Sequence, residues 1–256
     1  MKLFSRIYGE GKPLIILHGL FGMSDNWNTL GKQWSDKLGR SVHIIDQRNH
    51  GRSPWSNPHD YHALSDDLAE YFQEKNIDTA SILGHSMGGK TAMFFATLFP
   101  EKVDKLLVAD IAPRSYPVHH REIIDALQYV YEKSPHSRVE AQDALGEKIR
   151  NEGIRFFLLK SLHRNENGIY TWRFNLQQID ADIEKIGAGL PPPALYDGPA
   201  VFIRGLQSDY INDDDFSSIH SHFPQAIVES VENAGHWLHA EQPKIFSNIV
   251  EKHLSN

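Results

Sequence analysis

Short apolar runs alternate with stretches of helical periodicity along the first part of the chain. Four runs have the length and composition of strands buried on both faces of a parallel sheet. They lie at residues 14–17, 42–45, 79–83 and 103–109. Helical periodicity follows the first three runs, at residues 24–38, 64–72 and 87–99, and residues 2–8 predict an edge strand. This alternation predicts βα units and a mostly parallel central sheet flanked by helices.

The alternation stops after Asp110, where a long segment without a confident buried strand begins. Its helical patterns lie at residues 122–131, 138–150 and 153–162, and residues 169–174 predict a short extended stretch. Strand and helix patterns then resume at residues 200–203, 213–222, 226–231 and 237–254. We therefore predict a core formed by residues 1–111 and 197–256. Residues 112–196 are predicted to form a helical cap over the carboxyl ends of the strands.

The composition narrows the classes of protein to consider. With 26 Lys and Arg against 33 Asp and Glu, the formal net charge is −7, which offers no broad attraction to nucleic acid or anionic lipid. The chain has no cysteine, which excludes disulfides and thiolate catalysis, and no apolar run approaches the roughly 20 residues of a membrane span. The 15 histidines include no HExxH pattern. We predict a soluble, cytoplasmic protein without a metal site or a nucleic-acid partner.

A glycine-rich turn after the third apolar run carries the first catalytic candidate. The sequence Gly84-His85-Ser86-Met87-Gly88 fits the pattern G-x-S-x-G between a predicted strand and a predicted helix. So tight a turn forces its middle residue into a strained backbone conformation and exposes the hydroxyl above the sheet. The glycines allow the close backbone approach that the turn requires. The pattern predicts Ser86 as a catalytic nucleophile.

A serine nucleophile needs a base and an acid that orients the base. His236 follows the last predicted strand and precedes the last predicted helix, which is the position expected for the base. For the acid, the usual G-x-x-D spacing leads to Ser208, with Asp209 one residue later, whereas Asp110 stands at the end of a predicted strand. We favour Asp110, because a strand end fixes a side chain better than a loop does, and keep Asp209 as the alternative. Ser208 is then expected beside His236.

The oxyanion formed by such chemistry needs two preset N–H donors. Met87 N–H, at the start of the helix that follows Ser86, is the first candidate. The second is Leu20 N–H, in the glycine-containing loop 18–22 after the first buried strand. His18 in the same loop is expected to bond nearby carbonyl groups rather than serve as a second base.

Five motifs occur in an order that resembles the α/β-hydrolase superfamily, and closely the small bacterial YbfF-type esterases. They are HGLFG at 18–22, DQRNHGRS at 46–53, GHSMGGK at 84–90, DIAP at 110–113 and AGHWLHAEQP at 234–243. The resemblance implies a core of eight-stranded type with a helical cap, and esterase or thioesterase activity without a cofactor. It places the nucleophile on Ser86, the acid on Asp110 and the base on His236. The YbfF-type proteins tend to lack the late acid, which agrees with Ser208, while Asn49 departs from the glycine that is commoner in the superfamily.

The start of the predicted cap carries candidate substrate-binding residues. We hypothesise that His119, His120 and Arg121 lie at the pocket mouth, where Arg121, the permanent charge of the three, receives an anionic acyl or CoA group. A solvated hinge face is the alternative. Tyr210 and Ser208 are expected to line the pocket as well.

The leading hypothesis is hydrolysis of short-to-medium acyl esters or thioesters through an acyl-enzyme on Ser86. Two alternatives stay open, because a fold does not by itself fix a function. One is a C–C bond hydrolase or lyase with the same triad, and the other is a ligand receptor of the same fold without turnover. A dehalogenase or epoxide hydrolase is disfavoured, since those enzymes need an aspartate where Ser86 stands.

Overall fold

The computed structural model describes residues 1–117 and 120–255. Its strands are β1 (Ser5–Tyr8), β2 (Pro13–Leu17), β3 (Ser41–Ile45), β4 (Ala80–His85), β5 (Val103–Ala109), β6 (Leu162–Arg164), β7 (Tyr170–Trp172), β8 (Ala200–Gly205) and β9 (Ala226–Val231). Its α-helices are α1 (Asn28–Leu38), α2 (Tyr61–Glu74), α3 (Met87–Leu98), α4 (Arg121–Lys133), α5 (Arg138–Lys148), α6 (Glu152–Leu159), α7 (Leu176–Ala181), α8 (Ile183–Ile186), α9 (Asp215–His222), α10 (Leu238–Glu241) and α11 (Pro243–Leu254). Short 3-10 helices at Ser24–Trp27 and Pro100–Lys102 precede α1 and β5.

The main sheet has the strand order β1-β3-β2-β4-β5-β8-β9. β1 pairs antiparallel with β3, and the other neighbours pair in parallel. The mostly parallel sheet predicted from the sequence is therefore confirmed. In the part of the chain that the structure describes, this sheet has 7 strands rather than the eight implied by the family resemblance, because β1 alone covers the antiparallel edge.

Apolar residues cover both faces of the sheet, as β2 illustrates. Leu14 and Ile16 belong to a buried cluster that includes side chains of α1 and α11. Ile15 and Leu17 belong to a second cluster, which includes side chains of α2 and α3 on the opposite face. Successive side chains of a strand point to opposite faces, so a continuous apolar run is what a doubly covered strand requires.

The segment between β5 and β8, here called the insert, adds no strand to the main sheet. Besides the helices α4 to α8 it contains a hairpin of β6 and β7. β7 lies within the extended stretch predicted at residues 169–174, whereas β6 was not predicted. Each hairpin strand has 3 residues and buries one side chain, Leu162 or Trp172, so no apolar run marked them in the sequence. The helix predicted over residues 153–162 accordingly ends at Leu159. The division of the chain at residues 112 and 196 stays a prediction.

The C-terminal segment is also more broken than its periodicity predicted. Instead of one helix over residues 237–254, the structure has α10 and α11, separated at Gln242. Pro243 is the first residue of α11, where its missing N–H costs no intrahelical hydrogen bond. The residue before a proline is driven out of the helical region, and Gln242 adopts φ −128° and ψ 57°.

Lys90 ties both ends of the insert to the core. It lies in α3, one turn after Ser86, and its side chain is almost fully buried. The ammonium donates to the carbonyl groups of Arg114 at 2.5 Å and Pro113 at 3.3 Å, where the insert begins, and to Ala188 at 2.7 Å, where it ends. Burial lowers the pKa of Lys90 to about 7. One side chain of the helix that follows Ser86 therefore fixes how the insert sits over the sheet.

Buried neutral histidines predict that the fold is sensitive to acid. Burial lowers the pKa of five imidazoles, to about 4 in His18 and His43 and to about 3 in His50, His59 and His239. An unfolded histidine titrates near 6.5. Between that pH and the lowered values the unfolded state therefore binds more protons, and the free energy of unfolding falls as the pH falls.

We expect each of these imidazoles to cost about 1 kcal/mol or more of stability between pH 7 and pH 5. Urea unfolding at the two pH values measures the loss. His43 packs against Tyr71 away from the candidate site, and His43→Gln should show a smaller loss than the wild type. Equal unfolding free energies of the wild type at both pH values would contradict the prediction.

Candidate active site

Ser86 lies at the sharp turn between β4 and α3, with φ 52° and ψ −120°. A positive φ is strained for a residue with a side chain. Only glycine fits at positions 84 and 88, because a side chain at either one would clash with the backbone. A Cβ on Gly84 would lie 2.1 Å from the carbonyl oxygen of Gly88. A Cβ on Gly88 would lie 2.3 Å from the carbonyl oxygen of Leu17. The turn therefore holds the Ser86 hydroxyl at the N-terminus of α3.

A row of hydrogen bonds joins Ser86, His236 and Asp110. The Ser86 hydroxyl donates to His236 Nε2 at 3.0 Å, and His236 Nδ1–H donates to Asp110 Oδ2 at 2.8 Å. Asp110 is fully buried, and it also accepts from Gly205 N–H at 3.0 Å and from the Ser208 hydroxyl at 2.5 Å. These contacts fix the carboxylate, which in turn fixes the tautomer of the imidazole with Nε2 as acceptor.

The structure separates the two candidate acids. Asp110, at the end of β5, bonds His236, whereas Asp209 is exposed on the loop after β8. The loop turns tightly, with Ser208 N–H donating to the Gly205 carbonyl at 3.1 Å, and so directs the Ser208 hydroxyl to Asp110. The Ser208 hydroxyl, expected beside His236, bonds the same carboxylate oxygen, Asp110 Oδ2, that accepts from the imidazole.

Three side chains hold His236 in place. The Tyr210 ring stacks on the imidazole, with ring centroids 3.9 Å apart and planes inclined by 20°. His85 Nε2–H donates to the His236 carbonyl oxygen at 2.8 Å. Glu241 accepts from backbone N–H groups on both sides of His236. The sequence singled out Tyr210 as a pocket residue, but no spacing signal identified His85 or Glu241 as supports of the base.

The two predicted oxyanion donors lie beside Ser86. Met87 is the first residue of α3, where an N–H has no acceptor within the helix. Leu20 lies in the loop after β2, and both residues line a cavity that contains Ser86. The arrangement is suited to two backbone N–H groups that meet at an oxygen bound above the serine.

Two buried imidazoles fix the backbone on either side of Leu20. His18 Nδ1–H donates to the Gly19 carbonyl at 2.9 Å, and His50 Nε2 accepts from Phe21 N–H at 3.1 Å. Phe21 adopts φ 62°, a strained value that this hydrogen bond supports. Since burial lowers the pKa of His50 to about 3, its ring stays neutral near pH 7 and can accept. The structure therefore gives His18 the loop-bonding place predicted for it, and His50 is a partner that the sequence did not reveal.

Two cavities meet at Ser86. The first, here called the small cavity, has a volume of about 30 Å³ and lies between α2, α8 and the start of the insert. The second, the large cavity, has about 290 Å³ and lies under α4 and α6 beside His236. Leu20, His120 and Tyr210 line both. A wider groove of about 990 Å³ between α1, α6 and α11 does not include Ser86.

The predicted anion site at the pocket mouth is not formed in the described part of the chain. Arg121 is exposed at the start of α4, and its guanidinium pairs with Asp180 of α7 at 2.6 Å. It lines neither cavity, and neither does Ser208. Arg121, the first residue of α4, instead faces α7, where Asp180 supplies the carboxylate that pairs with it. His120 lines both cavities, whereas His119 lies outside the described residues.

Within residues 1–117 and 120–255, the His, Asp and Glu side chains form no group of three or more that could hold a metal ion. None of the helices in these two ranges combines the length and apolar character needed to cross a membrane.

Comparisons with known proteins agree with this architecture. The family model of the alpha/beta hydrolase fold matches residues 12–243. The chain is 38% identical over 249 residues to the sn-1-specific diacylglycerol lipase ABHD11 of Danio rerio, covering 94% of this chain and 78% of that protein. It is 35% identical over 248 residues to Esterase YbfF of Escherichia coli (strain K12), with 96% and 94% covered.

A solved structure described as a marine microorganism esterase is similar over 98% of both chains, with a TM-score of 0.93 and 42% sequence identity. These relatives are named as esterases and lipases, which supports ester hydrolase activity. The family match and the near full-length relatives show that this chain belongs to the α/β-hydrolase family.

Proposed function

We propose that the protein is a serine hydrolase that cleaves short-to-medium acyl esters or thioesters through an acyl-enzyme on Ser86. The observation that carries this proposal is the row of hydrogen bonds from Ser86 through His236 to buried Asp110. Two cavities meet at Ser86, and they can hold the acyl group and the leaving group of an ester. The proposed steps use side chains and backbone N–H groups alone, so we propose no cofactor, and a cytoplasmic location stays a prediction.

In the first half of the reaction, Ser86 Oγ attacks the carbonyl carbon while its proton passes to His236 Nε2. The oxyanion is held by the N–H groups of Leu20 and Met87. Asp110 stabilises the imidazolium that forms, because its carboxylate accepts the Nδ1–H bond at 2.8 Å. The C–O or C–S bond to the leaving group then breaks, and His236 returns the proton to the leaving oxygen or sulfur.

In the second half, water takes the place of the leaving group. His236 removes a proton from water as the water oxygen attacks the acyl carbon. The bond to Ser86 Oγ breaks, and the proton goes back to that oxygen. The products are the free acid and the regenerated serine.

Rapid-mixing assays with a chromogenic acyl ester and with the matching acyl-CoA test this proposal. We expect a burst of leaving group of about one equivalent per active site with the ester, if deacylation is the slower half. Intact mass after an acid quench should show one acyl group on the wild type and none on Ser86→Ala. A folded wild-type protein that cleaves no ester and no thioester would contradict the proposal.

His50 offers a test of the oxyanion loop that leaves the triad intact. His50→Leu removes the acceptor of Phe21 N–H, so the loop that carries Leu20 loses the partner that fixes it. We expect kcat to fall about ten- to hundredfold, because misplacing an oxyanion donor costs less than its full removal, about 10²–10³.

The Michaelis constant should change much less, since the oxyanion forms after substrate binds. His50→Gln, whose amide oxygen can accept in place of Nε2, is the matched control and should recover part of the loss. Equal kcat values for the wild type and His50→Leu would show that the loop does not depend on this bond.

A further inference from the structure

The two cavities that meet at Ser86 differ in their position relative to His236, and this inference rests on the function proposed above. A tetrahedral intermediate on Ser86 directs its oxyanion to Leu20 and Met87, and its other two substituents diverge. His236 must protonate the leaving oxygen or sulfur, so the leaving group lies on the imidazole side. His236 lines the large cavity and does not line the small one. The large cavity is therefore the leaving-group side, and the small cavity is the acyl side.

The small cavity has little room beyond the carbonyl carbon. Its volume is about 30 Å³, and a cavity needs about 10–15 Å³ for each water-sized group. Roughly two non-hydrogen atoms therefore fit, and because Leu20 and Met87 line this cavity, the carbonyl oxygen takes the place of one of them. Its walls include Tyr61, Ile111, Ile183 and Ile186, which are all buried.

Hydrogen bonds fix the part of the small-cavity wall formed by α2 and the end of α8. The Tyr61 hydroxyl donates to the Ile186 carbonyl at 2.7 Å, which joins α2 to α8. Tyr116 N–H donates to the Gly187 carbonyl at 2.8 Å, which joins the start of the insert to the end of α8. Lys90 holds the adjoining Ala188. A long acyl chain would have to displace several of these bonds at once.

The large cavity is suited to a bulky apolar group. Its walls include Ile123, Ile154, Phe157, Leu158 and Trp237, and its volume is about 290 Å³. Burying a methylene group against such walls favours binding by about fourfold. We infer that the preferred substrates carry a short acyl group, acetyl above all, on a bulky apolar alcohol or thiol.

Two ester series test this inference on the wild-type protein. The first keeps a 1-naphthyl leaving group and lengthens the acyl chain from acetyl through butyryl to hexanoyl. The second keeps acetyl and lengthens an unbranched alcohol from ethyl to hexyl. We expect kcat/KM to fall at least tenfold from acetyl to hexanoyl in the first series. In the second, kcat/KM should rise by up to about fourfold for each added methylene until the cavity is filled.

A matched pair of variants assigns each preference to its cavity. Ile186→Ala widens the small cavity and should raise the ratio of hexanoyl to acetyl activity at least tenfold, with the alcohol preference unchanged. Ile123→Ala makes the same change in the large cavity and should leave that ratio unchanged while altering the alcohol preference. Thermal unfolding checks that both variants fold, and Ile186→Val is a milder replacement if Ile186→Ala does not.

The outcomes separate this inference from the function on which it rests. Hydrolysis of hexanoyl esters as fast as acetyl esters, or an equal change of acyl preference in both variants, would overturn the inference while leaving a serine esterase. Cleavage of no ester in either series would overturn the proposed function and the inference together.

Discussion

Asp110→Asn is expected to lower kcat by about 10⁴-fold, the loss seen when a triad acid becomes an amide. The carboxylate of Asp110 accepts three hydrogen bonds, from His236, Gly205 and Ser208. An asparagine oxygen can replace part of this set, but its NH₂ group is a donor and can turn toward His236 Nδ1. The imidazole then carries its proton on Nε2 and cannot accept from Ser86.

Steady-state hydrolysis of an acetyl ester measures this effect, and Asp209→Asn is the matched control. Asp209 is an exposed aspartate on the loop after β8, so its replacement should leave kcat within about threefold of the wild type. Thermal unfolding of Asp110→Asn establishes that the variant is folded at the assay temperature. A folded Asp110→Asn protein with near-wild-type kcat would remove Asp110 from the triad, and a large loss in Asp209→Asn would assign the role to Asp209.

His236→Ala should have a still larger effect, a loss of about 10⁵–10⁶ in kcat. The imidazole is the group that accepts from the Ser86 hydroxyl, at 3.0 Å, and a serine hydroxyl is a weak nucleophile without a base. The backbone of the loop is held separately by Glu241 and His85, so we expect the variant to fold.

The control for this variant is His220→Ala. His220 is exposed in α9, and its ring bonds backbone carbonyls of its own neighbourhood. We expect this variant to keep full activity, which would show that the effect at His236 is local to the site. An active His236→Ala protein would mean that another group, or water alone, removes the serine proton.

The sequence predicted the sheet well because its strands are buried on both faces. Runs such as residues 14–17 and 106–109 are apolar without interruption, and the structure places β2 and β5 there. The hairpin of β6 and β7 has no such run, because each strand buries a single side chain. Its pairing depends on contacts within the insert, which periodicity does not record.

The sequence likewise predicted some residues of the candidate site and not others. Ser86 and His236 could be identified by their places relative to strands and helices, since the fold fixes where a strand must end. Asp110 was favoured over Asp209 because it stands at the end of a strand, and the family resemblance supported that choice. The supports at His50 and His85 were not predicted, since each bonds a backbone group of a distant segment. Such contacts depend on tertiary structure and leave no pattern in the neighbouring residues.

Covalent labelling shows whether Ser86 is an activated nucleophile. Wild type, Ser86→Ala and His236→Ala would each be incubated with a fluorophosphonate and examined by intact mass, with folding checked in parallel. We expect one adduct on the wild type, none on Ser86→Ala and strongly slowed labelling of His236→Ala. An unlabelled, folded wild type, or an adduct that persists in Ser86→Ala, would contradict this expectation.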